Sequence, residues 1–185
     1  MKKIILITSV LSSLAISAIA VTGTNTSTKI TNKSKLAING IGSIRVGMTV
    51  AEAAKASGTK LVSSGSYQDN SSCDYVRPQG SPKGIGFMVT NGRIARVDVY
   101  DNKNITTLSG AKIGDTEARI KALYPGQIKV SPHEYTGYMG GHYLTFVPKD
   151  KSDGNYRLVF ETDGKRVVNF RAGKLPEVEY VEGCS

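Results

Sequence analysis

The chain has 185 residues, and 24 Lys and Arg against 15 Asp and Glu give it a formal net charge of +9. This length suits one medium domain or two small ones. Only 21% of the residues are charged, 20 are glycine and none is tryptophan, which argues against a coiled coil, a helical bundle and a long acidic disordered chain. The composition favours a β-rich globular protein.

Residues 1–20 have the three-part layout of a secretory signal peptide. Lys2 and Lys3 precede an apolar stretch, and small residues close the segment at the position where signal peptidase cleaves. Four serines and one threonine interrupt residues 4–20, so the stretch falls short of the roughly 20 apolar residues of a membrane anchor. We therefore expect a periplasmic or secreted bacterial protein with no stable membrane insertion after cleavage.

Residues 21–37 are rich in Thr, Ser and Asn, and we expect them to form a flexible linker. The signal peptide carries two of the lysines and the linker three, which leaves 19 basic and 15 acidic residues, or +4, for residues 38–185. No run of basic residues interleaved with aromatic residues occurs there, so the sequence predicts no nucleic-acid partner.

Cys73 and Cys184 are the two cysteines of the chain. Neither belongs to a CxxC pair or has a histidine at metal-ligand spacing, and in an oxidising compartment they predict one disulfide. This bridge would connect the C-terminal residues to the first half of the chain. A reactive or intermolecular thiol pair is the alternative.

Two segments share a pattern that predicts a short helix. The segments RVGMTVAEAAKASG at residues 45–58 and KIGDTEARIKALY at residues 112–124 both place a threonine before an Ala-containing amphipathic run. Thr49 and Thr116 are natural N-cap residues, and Glu52 completes a capping box with the first of them.

An alternating run follows each predicted helix. Residues 87–99 are interrupted by Thr-Asn-Gly and residues 158–170 by Thr-Asp-Gly, which are signals for tight hairpins. Further strands are expected at residues 72–77 and 142–148.

The order of these signals predicts an internal repeat. The expected fold class is α+β, with two tandem repeats, each a short helix packed on a 3-4-stranded antiparallel sheet. The first repeat would span residues 38–108, and the second, with a C-terminal tail, residues 109–185.

The VGMT motif at residues 46–49 and its second copy, IGDT at residues 113–116, support a resemblance. Together with the helix and meandering sheet of an exported chain, they resemble the SmpA/OmlA group, the small lipoprotein of the outer-membrane β-barrel assembly machinery. The tandem arrangement resembles the β-lactamase inhibitory protein, in which two such repeats form a concave surface. The resemblance covers about residues 41–172 and implies a protein-binding module. The chain departs from the first group in lacking a lipobox cysteine, and from the second in placing its predicted bridge between the repeats.

Tyrosines are concentrated in the second half of the chain. Five of the nine fall within 33 residues, namely Tyr124, Tyr135, Tyr138, Tyr143 and Tyr156. Tyrosine is enriched at binding hot spots because it offers a large contact area with a polar tip. We expect Tyr143 and Tyr156 to pack the sheet. Tyr135 and Tyr138, together with His142, are expected to bind a protein partner of the cell envelope or exterior, through the sheet face and the 131–143 loop.

A periplasmic hydrolase is the alternative function. His133, Glu134 and His142 would supply its general acid and base, beside a nucleophile such as Ser131 or Thr136. The same three residues are the candidates for a metal site. No catalytic motif accompanies them, so we predict no enzyme activity, no metal and no cofactor. The hydrolase would require the three side chains to converge in one cleft. A structural protein without any ligand is a third alternative.

Overall fold

The computed structural model describes residues 29–64 and 72–184, which form one sheet of four strands and one of eight. The predicted signal peptide and the first part of the predicted linker, residues 1–28, lie outside the described residues. The small sheet consists of β1 (Lys35–Ala37), β2 (Gly40–Ile41), β3 (Ile44–Arg45) and β8 (Thr106–Thr107). The large sheet consists of β4 (Leu61–Ser63), β5 (Cys73–Pro78), β6 (Ile85–Thr90), β7 (Arg93–Tyr100), β9 (Ile128–Pro132), β10 (His142–Phe146), β11 (Tyr156–Thr162) and β12 (Val167–Lys174). The helices are α1 (Val50–Ser57) and α2 (Glu117–Leu123).

The large sheet is antiparallel throughout, with the strand order β4-β5-β6-β7-β12-β11-β10-β9. Both predicted hairpins are present, as β6–β7 and β11–β12. At the first turn, Asn91 and Gly92 have φ angles of 50° and 72°, the left-handed values that a two-residue hairpin turn requires. The strands expected at residues 72–77 and 142–148 are β5 and β10.

The predicted fold class is wrong. The two halves do not form tandem α+β repeats with separate 3-4-stranded sheets, because β7 pairs with β12 from Tyr100↔Asn169 to Arg96↔Gly173 and makes one continuous sheet. The helices have only eight and seven residues, so the protein is mostly β. Separate sheets would leave the backbone groups along one edge of β7 and of β12 unpaired, and joining the edges satisfies these groups.

Both helices begin at the predicted residues. The Thr49 side chain accepts a hydrogen bond from Glu52 N at 3.2 Å, and Thr49 N donates to Glu52 Oε2 at 2.8 Å, which completes the capping box. Gly58 ends α1 in a left-handed conformation with φ 65°. Thr116 caps α2 by accepting from Arg119 N at 3.2 Å.

The VGMT and IGDT motifs contact the hairpin that follows each of them in the same way. Arg93 Nη1 donates to the carbonyl of Gly47 at 2.8 Å, and Arg166 Nη1 donates to the carbonyl of Gly114 at 2.7 Å. Each motif therefore ties the start of a helix to the turn region of the next hairpin.

The core lies between one face of the large sheet and a layer made of the helices and the small sheet. Phe87, Phe160 and Phe170 are its largest fully buried side chains on the large sheet. From the opposite layer, α1 contributes Ala53 and α2 contributes Ile120. Because side chains alternate along a strand, the opposite face of the large sheet, here called the outer face, presents a different set of residues.

Part of the segment predicted as a linker belongs to the fold. Ile30 is 5% exposed and belongs to the core. β1 pairs antiparallel with β2 and parallel with β8. The last residues of the predicted linker therefore contribute to the core and to the small sheet.

Candidate protein-binding face

The outer face of the large sheet carries charged and aromatic side chains on its central strands. On β7, Arg96 and Asp98 point outward because Val97 and Val99 point into the core. The pairing of β7 with β12 places Arg171 opposite Asp98. The outer-face residues that matter for the site are Tyr75, Arg96, Asp98, Tyr143, Glu161, Asn169 and Arg171.

Two arginine–carboxylate pairs lie on this face. Arg96 Nε is 3.0 Å from the Asp98 carboxylate, and Arg171 Nη1 pairs with Glu161. Burial raises the pKa of Asp98, and the attraction of Arg96 offsets this only in part. Burial also raises the pKa of Tyr75, whose hydroxyl accepts from Arg96, to about 12. Each of these four charged side chains therefore has an opposite charge beside it, and removing one partner would leave the other buried and unpaired.

Residues 175–184, here called the C-terminal strap, lie over the outer face. Arg96 Nη1 donates to the carbonyl oxygen of Glu177 at 3.0 Å, and Arg171 Nε donates to that of Val178 at 2.7 Å. The Val178 side chain is completely buried. The two arginines thus hold the backbone of the strap while they pair with carboxylates of the sheet.

Side-chain contacts fasten the strap at both ends. Cys184 forms a disulfide with Cys73 of β5, which confirms the predicted bridge. Near the start of the strap, Glu177 Oε1 accepts from Thr90 Oγ1 at 2.7 Å and lies 3.2 Å from Lys174 Nζ. Burial tends to raise the pKa of Glu177, but the hydrogen bonds from Thr90 and Lys174 outweigh it and hold the pKa below its ordinary value.

Two clefts flank the strap, and both are lined by Val181 and Arg171. The first cleft, of about 250 Å³, extends over β7 and β12 to Tyr100. The second cleft, of about 290 Å³, extends toward β9 and β10 and is lined by Glu134 and Glu179. Neither of these two glutamates has an ion-pair partner among the described residues. The second cleft therefore carries uncompensated negative charge.

The 131–143 loop presents large exposed side chains beside the second cleft. The exposed fractions of Tyr135, Tyr138 and Met139 are 53%, 86% and 63%. The Tyr135 hydroxyl donates to Glu182 of the strap, and this hydrogen bond is the main cause that raises the pKa of Tyr135. The loop and the strap consequently form one continuous surface.

His133 holds the loop against the sheet. Its Nδ1 accepts from the backbone N–H groups of Tyr135 and Thr136 at 3.1 and 3.3 Å. The ring stacks on Tyr143 with centroids 4.5 Å apart, and Nε2 lies 3.8 Å from Glu161 Oε2. A neutral imidazole that accepts at Nδ1 carries its proton on Nε2, so these contacts assign the tautomer whose N–H lies nearest Glu161.

His142, the third predicted binding residue, lies on the core side of the sheet. Alternation along β10 places Tyr143 on the outer face and His142 beside the start of α2. His142 Nδ1 is 2.8 Å from Glu117 Oε1, which also accepts from Thr162 Oγ1 at 2.6 Å. Burial tends to raise the pKa of Glu117, but these hydrogen bonds lower it overall. The structure brings the two loop tyrosines to the candidate face and does not bring His142 to it.

The residues of the alternative hydrolase are not assembled. His133 lies on the outer face, His142 lies on the core side, and Glu134 lines the second cleft. Their side chains do not converge in one cleft, which acid–base catalysis by this set would require. Within the described part of the chain, no three His, Cys, Asp or Glu side chains are grouped so that they could hold a metal ion.

The positions of the two arginines and of the strap were not predicted from the sequence. Arg96 and Arg171 are only 4% and 5% exposed, although charged residues at alternating strand positions usually indicate a solvent-facing side. One feature of the sequence could have indicated the ion pair: Arg96 and Asp98 have opposite charges and stand two residues apart, on the same side of a strand. The strap has neither helical nor strand periodicity, so no pattern predicted its position.

No family model and no curated protein matches this chain. Among solved structures, the chain is similar to the crystal structure of the uncharacterized protein yfeY from Escherichia coli, with 15% sequence identity and a TM-score of 0.45. The match covers 80% of this chain and 100% of that chain. Neither helix of the described residues is long and apolar enough to cross a bilayer.

Proposed function

We propose that this protein is an exported, non-catalytic binding protein that recognises a protein partner of the cell envelope or exterior through the 131–143 loop and the second cleft. Enzyme inhibition and envelope assembly are the two forms of this role that the resemblance of the VGMT motif suggests. The signal-peptide layout of residues 1–20 supports export to the periplasm or the exterior. The Cys73–Cys184 disulfide is compatible with an oxidising compartment.

The observation that carries the proposal is the exposure of the loop residues. Tyr135, Tyr138 and Met139 are at least half exposed, at 53%, 86% and 63%, while His133 and Glu182 fix the loop that presents them. Large aromatic side chains that are already held in place lose little conformational entropy on binding, and such residues dominate binding energies. The loop therefore has the properties of a preorganised contact surface.

The charge of the second cleft indicates which partner would fit. Glu134 and Glu179 line it without an ion pair among the described residues, and Glu182 stands nearby at the loop. An arginine or lysine of the partner would find complementary charge there, beside the exposed aromatic rings. The partner surface we propose is therefore basic with an adjoining apolar residue.

The test is capture from envelope extract of the producing bacterium, followed by affinity measurement with the purified partner. The Tyr135→Ala, Tyr138→Ala double variant is compared with the wild type. Truncating a hot-spot residue costs about 2 kcal/mol or more, so each tyrosine that acts as a hot spot should weaken the affinity about 30-fold. Thermal unfolding should stay nearly unchanged, because both side chains are more than half exposed.

Leu108→Ala is the matched control, because Leu108 is a large apolar residue that is 65% exposed next to the small sheet. It should bind the partner like the wild type. A partner that binds the double variant with unchanged affinity would show that the loop is not the site. If capture from the extract yields no partner whose binding the double variant weakens, the alternative of a structural protein without a ligand replaces this proposal.

A further inference from the structure

β9 forms one edge of the large sheet, with β10 on one side and no strand on the other in the described part of the chain. Just beyond β9, the N–H of His133 donates to the carbonyl of Gly141 on the β10 side at 2.9 Å. Because backbone groups alternate in direction along an antiparallel ladder, Lys129 and Ser131 also direct theirs toward β10. The backbone groups of Ile128, Val130 and Pro132 therefore point in the opposite direction, away from β10.

The free edge therefore consists of the backbone groups of Ile128, Val130 and Pro132. Since proline has no N–H, the edge offers two donors and three acceptors. Among the residues that the structure describes, none of these groups has a strand to pair with. The Val130 side chain is also 46% exposed. The opposite edge of the sheet, β4, has only three residues and is the poorer template for a further strand.

The sequence of β9 selects one register for pairing with its own copy. When Val130 lies opposite Val130 of the second copy, both Val130 N–H groups find the opposite Val130 carbonyl. In this register each Ile128 N–H also reaches the Pro132 carbonyl of the other copy. All donors of both edges are then used, and the groups left without a partner are the Ile128 carbonyls, which stand opposite the proline nitrogens.

The two neighbouring symmetric registers are worse. When Ser131 lies opposite Ser131, each Ile128 lies opposite Glu134 of the other copy. Glu134 is beyond the end of β9 at Pro132, so both Ile128 N–H groups lack a strand residue as acceptor. Placing Lys129 opposite Lys129 sets two like charges directly across the pair, which is destabilising. In the preferred register, Lys129 lies opposite the hydroxyl of Ser131.

We propose that β9 pairs antiparallel with β9 of a second copy of this chain, with Val130 on the two-fold axis. The interface is isologous, as in most homodimers, and it joins two eight-stranded sheets at their edges. A contact of five residues per strand is small for a stable interface, so the dimer forms reversibly and at high concentration. The proposal does not rest on the partner proposed for the outer face, although Ser131 and Pro132 of β9 also line the second cleft.

Val130→Pro tests the pairing. The Val130 N–H points away from β10, so proline removes the central donor of the dimer without removing a hydrogen bond of the native ladder, and proline is accepted on edge strands. Val130→Thr is the matched control, because it keeps both the N–H and a β-branched side chain. Sedimentation velocity should show the mass doubling with concentration for the wild type and for Val130→Thr, whereas Val130→Pro should keep the mass of a single chain.

Cysteine cross-linking tests the register even if the proline variant fails to fold. In the proposed register, residues 130 of the two copies form a hydrogen-bonded pair with Cα atoms about 5.5 Å apart, within the range of a disulfide. Residues 129 of the two copies are offset by two positions and lie about 8 Å apart, which is too far. Under mild oxidation Val130→Cys should form a covalent dimer and Lys129→Cys should not.

Three results would overturn the proposal. One is a single-chain mass for the wild type up to millimolar concentration. The second is a dimer that survives in a folded Val130→Pro variant, since its contact must then lie elsewhere. The third is cross-linking of Lys129→Cys that equals that of Val130→Cys.

Discussion

Replacing Cys73 and Cys184 together by serine removes the covalent link between the C-terminal strap and β5. The two cysteines are 111 residues apart, and opening a loop of that length gives the unfolded chain back a large conformational entropy. In the chain-entropy model the loss is about 5 kcal/mol of the free energy of unfolding. For a domain of this size it corresponds to a fall of roughly 10–20 °C in Tm.

Urea unfolding followed by circular dichroism measures both consequences of the change. The free energy of unfolding should fall by about 5 kcal/mol. The slope m should rise, because an unfolded chain without the cross-link exposes more surface to the denaturant. A double alanine variant serves as control, since serine also places a hydroxyl at the buried Cys184 position; both variants should lose similar stability.

The strap and the sheet should unfold together. Arg96 and Arg171 hold the strap through three of its carbonyl groups, and Val178 is completely buried, which favours one cooperative transition. A loss below about 1 kcal/mol with an unchanged m would refute the reasoning, because the bridge would then not restrict the unfolded chain as the model of loop entropy requires.

The remaining predictions concern the charges beneath the strap. Arg171→Met leaves Glu161 without its arginine and the Val178 carbonyl without its donor, so the free energy of unfolding should fall by about 3–5 kcal/mol. The control Lys121→Met breaks an ion pair with a half-exposed lysine and should cost about 0.5 kcal/mol. Equal losses of the two variants in urea unfolding would contradict this prediction. The pKa of Glu177 lies below its ordinary value of 4.5, so its ionised form stabilises the fold above that pH, and the contribution is lost as the pH falls through the lowered pKa. The stability difference between the wild type and Glu177→Gln should therefore shrink on acidification from neutral pH, and a difference that grows instead would reverse the assigned sign.

Local features of the fold could be predicted because their causes lie within a few residues. The hairpin turn at Asn91 and Gly92 depends on residues that accept positive φ. The start of α1 depends on Thr49 and Glu52, which hydrogen-bond each other's backbone. The disulfide could be predicted because the chain has two cysteines and a signal-peptide layout.

The arrangement of the halves could not be predicted in this way. β7 and β12 pair through residues such as Val97 and Ala172, which are far apart in the sequence, and an alternating strand has the same pattern at the edge of a sheet as beside another strand. His142 was assigned to the binding site for a similar reason. Its position follows from its distant partner Glu117 and from the alternation of β10, which places neighbouring residues on opposite sides.

The central position of β12 has a consequence for the order of synthesis. β12 is the last strand in the described part of the chain and stands between β7 and β11, so β7 is complete long before its neighbour exists. Until residues 167–174 are available, β7 presents an open backbone edge, and its side chains Ile94, Val97 and Val99 belong to the core. Such an edge is a template for intermolecular pairing. Nascent chains that end before β12 should therefore be more prone to aggregation and more dependent on chaperones than chains only a few residues longer.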